Sequence, residues 1–154
     1  EHAGQAIAEV DVAEGPRAVG SLCGCAMLIT REALTTLGGL RADFWAYAED
    51  LELSVRYARA GRRLLFVPAG RVMHKVPFPE PEAAGWKIAL RDRNRRRIAR
   101  LHLTAAERAL FWAFFLPSRL LRMLQYAVRG DGDRLRGIAR GLAPDRDWGA
   151  GRDR

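Results

Sequence analysis

The sequence predicts an α/β chain that passes into basic amphipathic helices, and three observations carry that expectation. Residues 22–29, Leu-Cys-Gly-Cys-Ala-Met-Leu-Ile, form an unbroken apolar run of the length expected for a strand buried on both faces. A helical pattern starting at Glu49 lies between that run and another extended stretch at 62–67, and such alternation marks an α/β sheet. The charge is divided: residues 1–86 carry 9 basic and 11 acidic side chains, whereas residues 87–140 carry 14 and 4. The net charge of +8 therefore belongs to the second half. It points to an anionic partner there: membrane lipid, a phosphate-bearing substrate or nucleic acid.

A chain of 154 residues is long enough for one domain or for part of a larger one. It begins with Glu1, as a processed chain or a fragment would, and residues 1–20 hold no apolar run like that of a secretory leader. The two cysteines, in Cys23-Gly24-Cys25, give no disulfide framework, because neighbours so close bridge only with strain. They read as small buried residues in a reducing, cytoplasmic setting.

The elements follow in order. Ile7, Val10 and Val12 suit a short strand, closed by Gly15-Pro16. Within the apolar run, Gly24 allows close approach of another backbone or of a ligand. Thr30 is a suitable N-cap for a helix over 31–37, with Glu32 in its first turn and Gly38-Gly39 ending it. From Glu49, one apolar stripe carries Leu51, Val55 and Ala58, and an adjacent one carries Leu53, Tyr57 and Ala60. Glu52 and Arg56 are spaced to pair on the surface, and Gly61 ends the helix. Residues 62–67 and 71–74 read as extended, and Pro77, Pro79 and Pro81 mark a linker. Helices are then expected over 83–101, over 105–116 behind a Thr104 cap, over 118–129 beyond a kink or break at Pro117, and over 133–142. The Gly-, Asp- and Arg-rich tail from residue 143 has a disordered composition.

The apolar stretch 109–117 is far shorter than the about 20 residues that span a bilayer. Phe111, Trp112, Phe114 and Phe115 beside flanking arginines suit an interfacial helix on a membrane surface, and they equally suit a core helix. Chemistry concentrates instead at Phe44-Trp45-Ala46-Tyr47-Ala48-Glu49-Asp50. Adjacent carboxylates at a helix N-terminus can serve as a general base and its neighbour, or as metal ligands. Acidic residues are also common in a first turn for dipole reasons alone. The aromatics just before them suit a wall on which a sugar ring stacks, and core packing is the plain alternative. His74 is a lone histidine whose relation to Asp50 the sequence leaves open.

The run Gly24-Cys25-Ala26-Met27-Leu28-Ile29-Thr30-Arg31-Glu32-Ala33-Leu34, then Leu37-Gly38-Gly39-Leu40, then the 44–53 stretch, then Arg56, Gly61, Pro68 and His74-Lys75, resembles the C-terminal half of the family 2 glycosyltransferases. The nearest likeness is to rhamnosyltransferase- and galactofuranosyltransferase-like enzymes of bacterial cell-surface polysaccharide synthesis, over about residues 19–97. The resemblance implies the GT-A fold, a nucleotide-sugar donor, a divalent metal (Mn or Mg), and inverting transfer to a polysaccharide or lipid-linked acceptor. It also implies Asp50 as catalytic base with Glu49 supporting it or touching the acceptor, and His74 as metal ligand. Trp45, Tyr47 and Gly24 would lie at the acceptor, and Arg93-Asn94 would lie near substrate phosphate. Two departures stand out. The family's acidic pair after the Gly-Gly turn is replaced by Arg41-Ala42, with Asp43 one step later. The nucleotide-binding half with its Asp-x-Asp is not found, and Asp131-Gly132-Asp133 has that spacing but lies in the basic region.

The organisation expected is a partial catalytic domain over 1–80 (the acceptor half), a basic helical region over 81–142 and a disordered tail over 143–154. Alone, such a chain is expected to bind donor poorly and to turn over little or nothing. Its expected place is peripheral, on the inner face of the plasma membrane and in contact with anionic lipid. The alternative is a non-catalytic basic module that binds a membrane surface or, second to that, nucleic acid. Nucleic acid is not an expected partner, because the arginine run lacks interleaved aromatics for base stacking.

Overall fold

In the computed structural model of the chain, residues 15–70, 72–73 and 84–144 are described. The order is β1 (Arg17–Ala18), α1 (Arg31–Leu37), a 3₁₀ turn (Ala42–Phe44), α2 (Glu49–Arg59), β2 (Leu65–Phe66), α3 (Gly85–His102), α4 (Ala105–Val128) and α5 (Gly132–Leu142). The strands pair antiparallel, Arg17 with Phe66 and Ala18 with Leu65. The expected strand at the N-terminus, the extended piece ending at His74, the Pro-rich linker and the tail from residue 145 lie outside the described residues.

The first helices form for local reasons. The Thr30 hydroxyl accepts from the Ala33 N–H at 3.2 Å and starts α1, and Gly38 stops it at φ 76°. Gly61, also at φ 76°, follows the end of α2. The core between them is small. Ala33, Leu53, Tyr57 and Leu64 are buried together, with Val19, Leu22, Ile29 and Leu37 packed around them. Complete burial of Leu53 contributes about 2 kcal/mol. Of the two stripes expected on α2, the one carrying Leu53 and Tyr57 faces the core, and Leu51 and Val55 are half-buried.

Three expectations are corrected. Residues 22–29 are a turn and irregular chain, not a strand, and Leu28 is 98% exposed. A strand needs a neighbour to take its ladder hydrogen bonds, and none lies alongside among the described residues. Side chains take them instead: Ser54 Oγ receives the Leu22 N–H at 2.9 Å, and Asp50 Oδ2 receives the Gly24 N–H at 2.9 Å. Cys23 and Cys25 are accordingly exposed rather than buried. Second, Glu52 and Arg56 are not a surface pair. Glu52 is fully buried, and its oxygens meet Arg56 Nε at 3.0 Å and His102 Nε2 at 2.9 Å. Third, α4 runs unbroken through Pro117.

The remaining helices gather at closely approaching glycines. A Cβ on Gly85 would collide with the Asp133 carbonyl oxygen, one on Gly137 with the Gly85 backbone, and one on Gly141 would lie 2.8 Å from the Asp92 Cβ. Small residues therefore let α3 and α5 touch backbone to backbone. Arg96 closes the end of α5 by donating to the Leu142 and Ala143 carbonyls at 2.9 and 2.5 Å. A capping box, Thr104 with Glu107, starts α4. The outer side of α4 is apolar and exposed: Phe114 is 71%, Leu124 62% and Val128 82% accessible. No described helix is long and apolar enough to cross a membrane.

Two stability predictions follow from this packing. Gly137→Ala should lower unfolding stability by about 1–3 kcal/mol through overpacking, whereas Gly20→Ala, whose Cβ meets nothing within 4 Å, should leave it unchanged in urea unfolding. Glu107 is held at a pKa of about 2, against 4.5, chiefly by the Thr104 backbone N–H and then by Arg59 and the Thr104 hydroxyl. A depressed carboxylate stabilises the fold above its ordinary pKa and loses that effect as pH falls through the lowered one. Glu107→Gln should therefore lower Tm at neutral pH, with the gap to the parent chain narrowing from pH 4.5 towards about 2 in a melting series.

Candidate active site

The site is a loop forced into an unfavourable shape and held there from behind. After the 3₁₀ turn, Trp45, Tyr47 and Ala48 all have positive φ, at 57°, 63° and 68°. None is glycine, and each such residue costs about 1–3 kcal/mol unless its surroundings impose it. Here one buried side chain makes most of the long-range hydrogen bonds to the loop. Asn94 Nδ2, fully buried on α3, donates to the carbonyls of Phe44 at 3.0 Å, Ala46 at 2.9 Å and Tyr47 at 2.6 Å. Three converging carbonyl oxygens require a donor, which fixes the orientation of the amide. Arg97 adds a bond to the Asp43 carbonyl at 2.9 Å and an ion pair to its carboxylate at 2.5 Å.

The strained loop delivers the chain into α2 with Ala48 as a left-handed cap. Asp50 then stands in the first turn, where the dipole and free N–H groups favour an anion. Its Oδ1 accepts from the Leu51 N–H at 2.7 Å and its Oδ2 from the Gly24 N–H at 2.9 Å. Each carboxylate oxygen has acceptor capacity beyond one such bond. The partner admitted by Gly24 is thus the Asp50 side chain itself, and an added Cβ would sit 3.4 Å from Oδ2. Glu49, next door, has its Oε2 buried with no hydrogen-bond partner.

Of the three aromatics, Phe44 is fully buried beneath Arg97, and Trp45 and Tyr47 are not. Trp45 and Tyr47 approach Trp86, on the first turn of α3, with ring centroids 6.4 and 5.8 Å apart. Arg91 lies over Tyr47 at 5.7 Å and Lys87 over Trp86 at 5.8 Å. Sequence reasoning missed Trp86 and Arg91. They stand about 40 residues from the loop, and the one local signal is a tryptophan at the start of a polar helix.

The other residues singled out from the sequence fall as follows. Asn94 is not placed to meet a phosphate: its amide nitrogen is committed to three backbone carbonyls, so it positions the loop. Arg93, its neighbour on α3, is half-buried. Asp43 is held by Arg41 at 2.9 Å as well as by Arg97, and their charge keeps its carboxyl below the usual carboxylate range, the Arg41 hydrogen bond first. It ties the turn to α3. Asp131 caps α5 through the Arg134 N–H at 3.0 Å, and Asp133 receives the Gly85 N–H at 2.6 Å, so this Asp-x-Asp is structural. His74 lies outside the described residues. Among the described residues, no three His, Cys, Asp or Glu side chains converge as metal ligands.

Asn94→Ala should lower stability by about 1–3 kcal/mol by orphaning buried carbonyls. Asn94→Asp, nearly isosteric, should be worse, since a carboxylate would face three carbonyl oxygens. Urea unfolding measures the loss, and near-ultraviolet circular dichroism should show the Trp45–Trp86 signal collapse in both variants.

The model of a family described as glycosyltransferase-like family 2 matches residues 5–99. Two proteins of Mycobacterium tuberculosis, from strains CDC 1551 and H37Rv, are each named N-acetylglucosaminyl-diphospho-decaprenol L-rhamnosyltransferase. Both are 36% identical over 58 residues, which is 38% of this chain and 19% of theirs. The match thus spans about a fifth of the length of these curated relatives. No solved structure matches. With its family model covering more than half of the residues, the chain belongs to glycosyltransferase-like family 2.

Proposed function

We propose that this chain forms the acceptor side of an inverting glycosyltransferase, with Asp50 as the base. In this reading Asp50 takes the proton of an acceptor hydroxyl as that oxygen attacks the sugar carbon, and the nucleotide diphosphate of the donor departs with the bonding pair. The observation that carries the reading is the conjunction of Asp50 at a helix N-terminus with an imposed, strained loop that turns Trp45 and Tyr47 towards Trp86. Strain held at one place by a dedicated buried residue is characteristic of functional sites. Solvent-accessible aromatics a few residues before a carboxylate suit a sugar ring. Glu49 fits a supporting role behind the base better than contact with the acceptor, since its Oε2 is buried.

Family membership supports glycosyl transfer in general. The names of the relatives support a finer proposal: a rhamnosyl-type donor and a lipid-linked or polysaccharide acceptor of cell-surface synthesis. The GT-A architecture belongs to the same proposal, as does a second segment that holds the nucleotide sugar, without which this chain would turn over little. A divalent metal would offset charge on the leaving diphosphate. Among the described residues no three His, Cys, Asp or Glu side chains converge to hold it, and His74, the ligand that the resemblance implies, lies outside them. Peripheral attachment to the inner membrane face is supported by the outward apolar side of α4, a pattern suited to lying in an interface.

In the protein that carries this chain, Asp50→Asn should lower transfer from a nucleotide sugar by about 10²-fold or more while donor binding persists. Single-turnover transfer and equilibrium donor binding separate the two effects. Turnover close to that of the parent protein would remove Asp50 from the base role.

A further inference from the structure

A second feature stands apart from the Asp50 site. Between α3, α4 and α5 lies a cavity of about 330 Å³ walled by Arg91, Arg95, Arg119, Arg122, Arg129 and Arg134. This is at the small end of the about 300–1,000 Å³ usual for ligand sites. One carboxylate lines it, Asp92, which is fully buried and holds Arg119 at 2.8 Å. Arg134 pairs with Asp131 at 2.8 Å. Among the described residues no carboxylate pairs with Arg122 or Arg129. Guanidinium groups stay protonated in proteins, so a strong positive charge is gathered in one concavity.

The helices make this gathering deliberate. On α4 and its C-terminal cap, Arg119, Arg122, Tyr126 and Arg129 follow at spacings of three and four and line the cavity. Leu110, Phe114, Leu121 and Val128 lie on the other side of the same helix and are exposed. An amphipathic helix normally buries its apolar side. Here the basic side lines the cavity, with Arg119 half-buried and Arg122 and Arg129 still open to solvent. The conflict shows at Arg95, whose pKa is drawn down first by burial and then by Arg119, Arg91 and Arg122, against the pull of Asp92. A bound anion would remove it.

We infer that the cavity binds a diphosphate group. Planar guanidinium forks arranged around a concavity suit the several oxygens of a diphosphate, which they grip in bidentate fashion. Arg91 links this cavity to the aromatic wall, since the same side chain lies over Tyr47. The inference needs no transfer activity and stands or falls apart from the role of Asp50. The diphosphate could be borne by a lipid or by a soluble nucleotide, and both present the same chemistry to the arginines.

The test is titration calorimetry of the 154-residue chain with inorganic pyrophosphate, beside a variant carrying Arg122→Gln and Arg129→Gln. A control variant, Arg63→Gln with Arg140→Gln, loses the same charge at exposed positions away from the cavity. The cavity variant should bind pyrophosphate roughly tenfold more weakly or worse, and the control variant should bind as the parent does. Equal weakening in both variants, or no pyrophosphate binding by the parent, overturns the proposal. In the parent chain, free of any folding defect, the arginine Nε–Hε resonances of the cavity should shift with pyrophosphate, and their constancy would also overturn it. Uridine diphosphate and phosphatidylcholine vesicles bearing a polyprenyl diphosphate then identify the source, since the cavity variant should lose whichever binds. Binding to phosphatidylglycerol vesicles but not to pyrophosphate would make the arginines a plain membrane-surface patch and sink the inference.

Discussion

The amide of Asn94 is the contact on which the candidate site depends. It reaches from the middle of α3 and gathers three carbonyls of a loop about 50 residues earlier in the chain. Three residues in that loop sit in a backbone region that side chains disfavour. Left to itself the loop would relax, Tyr47 and Trp45 would leave Trp86, and the first turn of α2 would lose its entry angle. One buried donor therefore fixes the aromatic wall and the direction from which Asp50 emerges. The same contact docks α3 on the first half of the chain, so support and site are a single construction.

Around that contact, the arginines of α3 have structural work that a solvated basic face would not. Arg97 closes on Asp43, Arg96 ends α5, and Asp92 holds Arg119 across to α4. From α2, Arg56 reaches the Gly38 and Gly39 carbonyls and the Leu37 carbonyl, and its charge is balanced by buried Glu52 with His102 beside it. Buried pairs of this kind add little net stability, because desolvation offsets much of the attraction, but breaking one leaves a buried charge alone. Their value is in register: each arginine meets a carbonyl or carboxylate in one arrangement only. The arginines of the cavity differ, for six of them line one concavity beside a single buried carboxylate, Asp92.

Membership of glycosyltransferase-like family 2 gives the loop and Asp50 a chemical context, and the physical features do not rest on it. The strain at Trp45, Tyr47 and Ala48, the two N–H groups on Asp50 and the orphaned Glu49 oxygen are properties of this chain. They describe a carboxylate held by two backbone N–H groups, three residues after Tyr47 of a strained loop whose aromatics meet Trp86.

What the sequence determined by itself was local. Thr30 and Thr104 cap helices, Gly38 and Gly61 end them, and the apolar spacing after Glu49 makes α2, because each effect is settled within a turn or two of chain. The acidic pair behind two aromatics was legible for the same reason. The tertiary structure decided the rest. Residues 22–29 have the composition of a strand, but a strand exists only with a neighbour, and here Asp50 and Ser54 took its N–H groups instead. Glu52 and Arg56 have the spacing of a surface pair, but Glu52 is buried, with Arg56 half-buried on one side and His102 Nε2 2.9 Å away on the other. The roles of Asn94 and Trp86 were not legible within their own helix, since their partners lie some 40 to 50 residues away. Long-range contacts of this kind depend on where α3 lies, and that was set by glycines that let α5 come close.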